Sequence, residues 1–430
     1  MPLSFSDKKI NFLVGGEANC DNFVFPSALP PFDEKVIDFL NDLSKALMPY
    51  REYSDVVTFA FWIRKGNVNS LKKRFFIKNE GNNGEDRGKN GEYNSECLHL
   101  GRGVVFHIAP SNVPVNFAYS LVTALLCGNS SIVRVPTKEF PQVKIITEAI
   151  NTVLAKHSDM AGRIVCVRYD HYKEINDFFS SVCDVRIIWG GDRTIEEIRK
   201  SPLPPRSTEI TFADRYSLAV IDSDAYLAMT DAEKERTAVD FYNDTFFSDQ
   251  NACTSPRVVI WAGKASESIE KAKLLFWQLE HKLVKERYSF QPIQGVNKLT
   301  KAYIFAAQYG TDQVNTRGAS IRIEPHEDNL IIRVSVPEIT SDLMNYKDNS
   351  GYFYEYDCKE PDLLEIKPLC DDKRCQTIGY IGNKKMFQPL LTSGIKGVDR
   401  IVPIGKTMDF DLIWDGYDLP AMLTRNVITL

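Results

Sequence analysis

The chain has 430 residues, a formal net charge of −5, 43% hydrophobic and 25% charged residues; this length exceeds one ordinary core and predicts two domains, and the charge balance supplies no basic field for nucleic acid. No run approaches the roughly eighteen consecutive apolar residues of a membrane span, and Met1 to Lys9 has no signal-peptide core, so a cytoplasmic protein is expected. Nine cysteines at irregular spacing predict free thiols rather than a disulfide framework.

In chain order, apolar residues recurring at three and four predict a helix over Val36 to Leu47, in a segment whose expected role is packing. Residues 79 to 95 combine glycine and charge without an apolar stripe and are expected in an exposed loop. Gly103 to Ile108 reads as an apolar strand running into the turn Pro110-Ser111-Asn112-Val113-Pro114, with the strand expected to end on Asn112. A helical pattern follows through Phe117, Leu121, Val122 and Leu125, Gly128-Asn129 stops it, and Ile132 to Val135 is the next strand. In such strand–helix–strand units ligands gather at the carboxyl ends of the strands, where Asn112 and Arg134 both fall.

Strands are predicted over 163–168, 184–189 and 216–221, separated by helices near 139–156, 171–180 and 192–200. This alternation implies a parallel sheet with helices on its faces. A helical run over 225–247, a strand over Arg257 to Trp261 and a long amphipathic helix over Ser266 to Glu286 open a second set. The expected division is therefore 1–224, 225–400 and a tail over 401–430 that returns to another part of the molecule or serves oligomerisation.

The chemistry centres on Gln250-Asn251-Ala252-Cys253, followed by Thr254-Ser255-Pro256-Arg257. A thiol at a helix-to-strand junction can feel a helix amino terminus and backbone N–H groups, both of which favour the thiolate; the alternative is a small buried hydrophobe. Asp249 and Gln250 are expected to order the turn. Cys127, Cys166, Cys183, Cys358, Cys370 and Cys375 read as structural, without zinc-site spacing, and His107 as a core histidine. No G-x-G-x-x-G joins a strand to a helix, and Gly405-Lys406-Thr407 lacks the earlier glycine of a phosphate loop.

Pro110 to Pro114, Cys127 to Arg134, Trp189-Gly190-Gly191, Asp249 to Ser255, Cys375 to Gly379, Gly397 to Gly405 and Trp414-Asp415-Gly416 together resemble the aldehyde dehydrogenase superfamily. Within it they resemble the LuxC-type acyl-CoA reductases, the fatty-acid reductase family of bacterial luminescence. The resemblance implies an α/β protein of two doubly wound parallel-sheet domains, the first Rossmann-like and cofactor-binding, the second catalytic. It implies Cys253 as nucleophile toward an acyl-CoA or acyl-protein thioester, Asn112 as an oxyanion donor, and reduction of the acyl-enzyme to an aldehyde. Gly190 and Gly191 take the place of the family's pyrophosphate turn. Arg134, with Thr137 and Lys138, takes the place of its adenosine-ribose contacts, and a guanidinium there favours NADPH over NADH.

The segment Ser207 to Arg215 lacks the Glu-Leu-Gly-Gly-Lys of hydrolytic relatives, which fits reduction, and Glu209 is left outside the catalytic set. Glu338 is a candidate ribose-binding carboxylate or a surface residue. Asp399, Arg400 and Trp414 are candidates for an acyl channel or a subunit contact. The family also implies an acyl-protein synthetase partner and a homo-oligomer. Two alternatives stay open: a short or non-fatty acyl donor, as in surface polysaccharide biosynthesis, and an inactive binding protein.

Overall fold

The amino-terminal periodicity is realised as α1 (Glu34–Leu47), capped by the Asp33 side chain, which accepts from the Lys35 N–H. Val36, Ile37, Phe39, Leu40, Leu43 and Leu47 form its buried stripe, each worth roughly 1.5–3 kcal/mol over exposure. α2 (Ser54–Trp62) and α3 (Lys65–Asn83) follow. Residues 79–83, expected in a loop, continue α3, because adding a residue to a formed helix is cheap compared with nucleating one. The rest of that expected loop lies outside the described residues. The computed structural model describes residues 10–15, 24–83, 96–312, 321–359 and 362–429. The chain divides into two units, Met1–Ala213 with Phe410–Leu430, and Asp214–Asp409.

The first unit carries strands β1 (Asn11–Val14), β2 (Glu96–Gly101), β3 (Val104–Ile108), β4 (Ser130–Arg134), β5 (Ile164–Arg168), β6 (Val185–Trp189) and β7 (Thr208–Phe212). From β3 onward they alternate with helices α4 (Asn116–Leu126), α5 (Pro141–Leu154), α6 (Lys173–Ser181) and α7 (Asp192–Arg199). The six-stranded sheet has the order β1-β5-β4-β3-β6-β7. Only the β1–β5 pair in it is antiparallel. The chain runs outward from β3 through β4 to β5, then returns to the other side of β3 as β6. The strand order reverses between β3 and β6, and that is where a parallel α/β sheet opens a ligand crevice at its carboxyl edge. Gly128 makes the α4–β4 turn at φ 83°, and a Cβ there would stand 2.0 Å from the Leu29 carbonyl oxygen, so the position admits only glycine.

The second unit carries β8 (Tyr216–Asp222), β9 (Pro256–Ala262), β10 (Arg322–Pro325), β11 (Ile332–Ser335), β12 (Tyr352–Cys358), β13 (Cys375–Ile381) and β14 (Arg400–Pro403). Their order is β10-β11-β12-β9-β8-β13-β14, parallel apart from β10. Helices α8 (Ser223–Ala228), α9 (Asp231–Asp244), α10 (Ser266–Arg287) and α11 (Pro292–Asp312) belong to this unit. The strand expected over 216–221 in the first set pairs with β9 and β13 instead, so the division falls at Asp214 rather than near 225. A strand buried along its whole length reads the same in either sheet, and only its pairing distinguishes them. The last strand, β15 (Thr424–Thr429), runs antiparallel to β2 within the first unit.

Candidate active site

Three sequence-selected groups fall on the carboxyl edge of the first sheet. Asn112 is exposed in the loop between β3 and α4, four residues past the end of the strand that was expected to reach it. The prolines on either side, Pro110 and Pro114, supply no N–H and end the ladder early. Thr137 and Lys138 are exposed after β4, with the Lys138 ammonium 5.0 Å from the centre of the Phe140 ring. Gly190 and Gly191 join β6 to α7, with Gly191 capping the helix. A Cβ on Gly190 would meet the Thr194 side chain at 3.0 Å, whereas one on Gly191 would meet nothing within 4 Å. A strand-to-helix turn without side chains at a helix amino end is the cradle a pyrophosphate requires, so these residues fit a dinucleotide.

Arg134 is buried, and neither a solvated strand-end residue nor a freely presented guanidinium. It lies 4.7 Å from the centre of the Tyr169 ring and donates to the carbonyls of Tyr169 and Asp170 at 3.5 and 3.4 Å. His107 is held between Ser120 and Ser131, at 2.8 and 3.3 Å, and burial pulls its pKa down to about 3, so it is a neutral core residue.

Glu209, on β7, belongs to an ion network that runs from the buried Arg186 to the exposed Arg199. One carboxylate oxygen accepts from Arg186 Nε and Nη2 at 2.9 and 2.5 Å, and the other from Arg199 Nε at 2.7 Å. Both oxygens are committed to guanidinium groups, which leaves no free carboxylate to activate water. Glu338 is exposed after β11. Asp399 pairs with Arg215, and Arg400 donates to the carbonyls of Lys406, Thr407 and Asp409, so both close turns of the second unit. Trp414 is buried against Phe410 in the first unit.

Cys253 lies in the second unit, in a turn that enters β9. α9 ends at Asp244, Phe246–Ser248 form a single 3₁₀ turn, and Asp249 and Gln250 then take left-handed φ values of 52° and 58°. The thiol therefore follows a helix carboxyl end, and the helix amino terminus expected to favour the thiolate is not the group supplied by this junction. The cation beside it is Arg257, four residues on and buried at the start of β9. Burial pulls the Arg257 pKa down to about 10, opposed most strongly by charge on Cys253 and then by Asp348 and Asp214. That attraction is reciprocal, so the guanidinium favours negative charge on the sulfur. The turn is further held by Ser217 Oγ, which donates to the Cys253 carbonyl at 2.8 Å, and by Thr254 Oγ1, 3.0 Å from Met408 Sδ.

Sequence reasoning missed Arg257 as a charge partner, and also two buried ions beside the turn. Asp244 accepts from the N–H groups of Gly405 and Thr407 at 2.7 and 3.2 Å, while burial raises its pKa to about 7. Lys298 donates to the carbonyls of Leu330 and Ser350, both at 2.6 Å, and burial lowers its pKa to about 7. The signal available was a charged residue inside an apolar pattern, which is present at Lys298 within α11 but does not identify a partner. Among the described residues no group of three or more His, Cys, Asp or Glu side chains is arranged to hold a metal. No described helix is long and apolar enough to cross a membrane.

Comparison with known proteins gives the family and the fold. Residues 86–302 match the family model described as Acyl-CoA reductase (LuxC). The chain is 23% identical over 306 residues to a long-chain acyl-protein thioester reductase of Aliivibrio fischeri, an alignment covering 71% of this chain and 58% of that protein. Over 178 residues, 40% of this chain and 32% of the other, it is 29% identical to an NADP-dependent glyceraldehyde-3-phosphate dehydrogenase of Pisum sativum. Among solved structures, an NAD-dependent benzaldehyde dehydrogenase from Corynebacterium glutamicum superposes with a TM-score of 0.56 at 17% identity, covering 94% of this chain and 86% of that one. The fold is aldehyde dehydrogenase-like, with parallel-sheet α/β units. With its family model matched across residues 86–302, this chain belongs to the acyl-CoA reductase (LuxC) family.

Proposed function

We propose that this chain reduces a fatty acyl thioester, presented on CoA or on a protein, to the aldehyde with NADPH, through an acyl group held on Cys253. One observation carries the reading. Among the cysteines whose side chains are described Cys253 alone is not buried, and it lies in the turn that enters β9, four residues before the buried Arg257. The thiolate attacks the thioester carbonyl, the carbonyl oxygen takes up the charge, and the donor thiolate leaves with the C–S electron pair. The Cys253 backbone N–H and the Asn112 side-chain amide are assigned as donors to that oxyanion, each worth about 2.7–4 kcal/mol in the transition state.

Gly190 and Gly191 are assigned to the cofactor pyrophosphate, and Thr137 and Lys138 to the adenosine ribose and its 2′-phosphate, with Arg134 contributing its charge from the buried strand end rather than as a free guanidinium. When bound, NADPH supplies the hydride that releases the acyl group as aldehyde. Retention of Glu209 by Arg186 and Arg199 supports reduction over hydrolysis, since it offers no base to waste the acyl-enzyme on water. In keeping with the family, the protein is proposed to act in the cytoplasm as a homo-oligomer beside an acyl-protein synthetase that delivers the acyl group. The test is NADPH oxidation against acyl-CoA donors of graded chain length. Turnover rising with chain length supports a fatty donor; turnover only with short donors replaces it by the short-acyl reading.

A further inference from the structure

We infer that Gln250 is a positioning residue for Cys253, an internal clamp that fixes the nucleophile turn to β12; this rests on the reading of Cys253 as the nucleophile. Gln250 is fully buried at a left-handed φ of 58°, a conformation that strains a residue with a side chain and persists only where surroundings over-determine it. Its surroundings do so. Nε2 donates to the carbonyls of Pro256 and Tyr352 at 2.9 and 3.0 Å. Oε1 accepts from the N–H groups of Gly351 and Tyr352 at 3.0 and 3.2 Å. Both amide protons and the amide oxygen are thus engaged with backbone, so the side chain acts through the turn and not on a substrate.

The four bonds close the turn from two directions. The bond to Pro256, where β9 begins, joins the two ends of the segment that carries Cys253, and the Gln250 N–H also bonds the Thr245 carbonyl at 2.8 Å. The remaining bonds reach the start of β12, the strand next to β9. There Ser350 and Gly351 take φ values of 60° and 91°, which turns successive N–H groups toward one point. Gly351 has no freedom to carry a side chain, because a Cβ would lie 2.6 Å from the Leu330 oxygen and 2.7 Å from the Phe246 ring. Lys298 ties the Leu330 and Ser350 carbonyls together, and Ser350 N–H bonds the Asp249 carbonyl at 3.0 Å. Asn349 Nδ2 adds a bond to Asn251 Oδ1 at 2.5 Å. Lys298 and the close packing at Gly351 hold the receiving side independently of the turn, and the Gln250 amide ties the cysteine turn to that frame.

Displacing a reacting group by about 1 Å costs on the order of 10²-fold in rate. The test compares wild type with Gln250→Met, which keeps the length and removes the polar atoms, and with Gln250→Asn, which keeps the amide one methylene short. Two rates are read: acyl transfer from tetradecanoyl-CoA to the protein, with its half-saturation concentration, and native-state alkylation of Cys253 by iodoacetamide, mapped by peptide mass. The expected result is an acylation rate about 10²-fold lower in Gln250→Met at an unchanged half-saturation concentration, with Gln250→Asn between and alkylation of Cys253 altered in both. Wild-type rates in both variants overturn the inference. So does a loss that merely follows the folded fraction measured by circular dichroism. Should Cys253 not be the nucleophile, wild type and Cys253→Ala take up acyl groups alike, while the alkylation rates still report whether Gln250 holds the turn.

Discussion

Removing the charge of Glu209 separates a structural carboxylate from a catalytic one. The Arg186 side chain is 3% exposed and that of Glu209 15%, so their pairing is desolvated, whereas Arg199 is 56% exposed. Arg186 Nη1 donates to Ser180 Oγ and the Ser201 carbonyl, at 3.0 and 2.7 Å, and the guanidinium is almost wholly buried. Glu209→Gln leaves that guanidinium buried without a counter-charge, which costs about 3–5 kcal/mol. Arg199→Ala breaks an exposed pair worth about 0–1 kcal/mol. For a domain of this size the first corresponds to a fall of roughly 6–20 °C in melting temperature at 2–4 °C per kcal/mol. Thermal unfolding followed by circular dichroism checks it, alongside NADPH-driven discharge of the acyl-enzyme below the transition. The expected outcome is a large loss of stability from Glu209→Gln, a small one from Arg199→Ala, and discharge retained in both. A Glu209→Gln protein as stable as wild type yet unable to turn over refutes the reasoning and returns Glu209 to the chemistry.

Asn112→Ala is expected to lower the maximal reduction rate by about 10²–10³-fold, with alkylation of Cys253 unchanged; steady-state kinetics against acyl-CoA check it. Gly190→Ala places a methyl 3.0 Å from the Thr194 side chain in the proposed pyrophosphate turn, and is expected to raise the NADPH dissociation constant without altering acyl transfer to Cys253 in the absence of cofactor. Asp244 has a folded pKa of about 7, raised from 3.8 by burial against the opposing Gly405 and Thr407 hydrogen bonds. Its carboxyl therefore contributes stability that is fully present below its unfolded value and lost as pH rises through 7. Between pH 5 and 8 that loss is about 2–3 kcal/mol. Urea unfolding is expected to show a smaller drop over that interval in Asp244→Asn than in wild type.

Much of the architecture was legible because period and punctuation agreed. The helix stop at Gly128-Asn129, the strands on either side of α6 and the long helix α10 all follow from local pattern. β7 is hard to see in the sequence because its five residues carry only two buried apolar side chains, Ile210 and Phe212. α11 was missed since Ile293, Val296 and Tyr303 are exposed and blur its apolar stripe. At the site, the turn chemistry of Asp249 and Gln250 was anticipated, but not what fixes it. The groups that hold Gln250 are backbone atoms of Gly351 and Tyr352, 101 and 102 residues further on. Backbone donors carry no residue signature, so no reading of side chains finds them. The source of positive charge at Cys253 was misassigned for a similar reason. Arg257 reads as an ordinary strand residue until burial and proximity turn it into the thiol's charge partner.

Intact-protein mass spectrometry after incubation with tetradecanoyl-CoA and no cofactor, on wild type and Cys253→Ala, tests the covalent mechanism directly. The expected result is a mass increase of one acyl group in wild type, absent from the variant and discharged on adding NADPH. An adduct that survives in Cys253→Ala, or none from any acyl-CoA chain length in wild type, contradicts it.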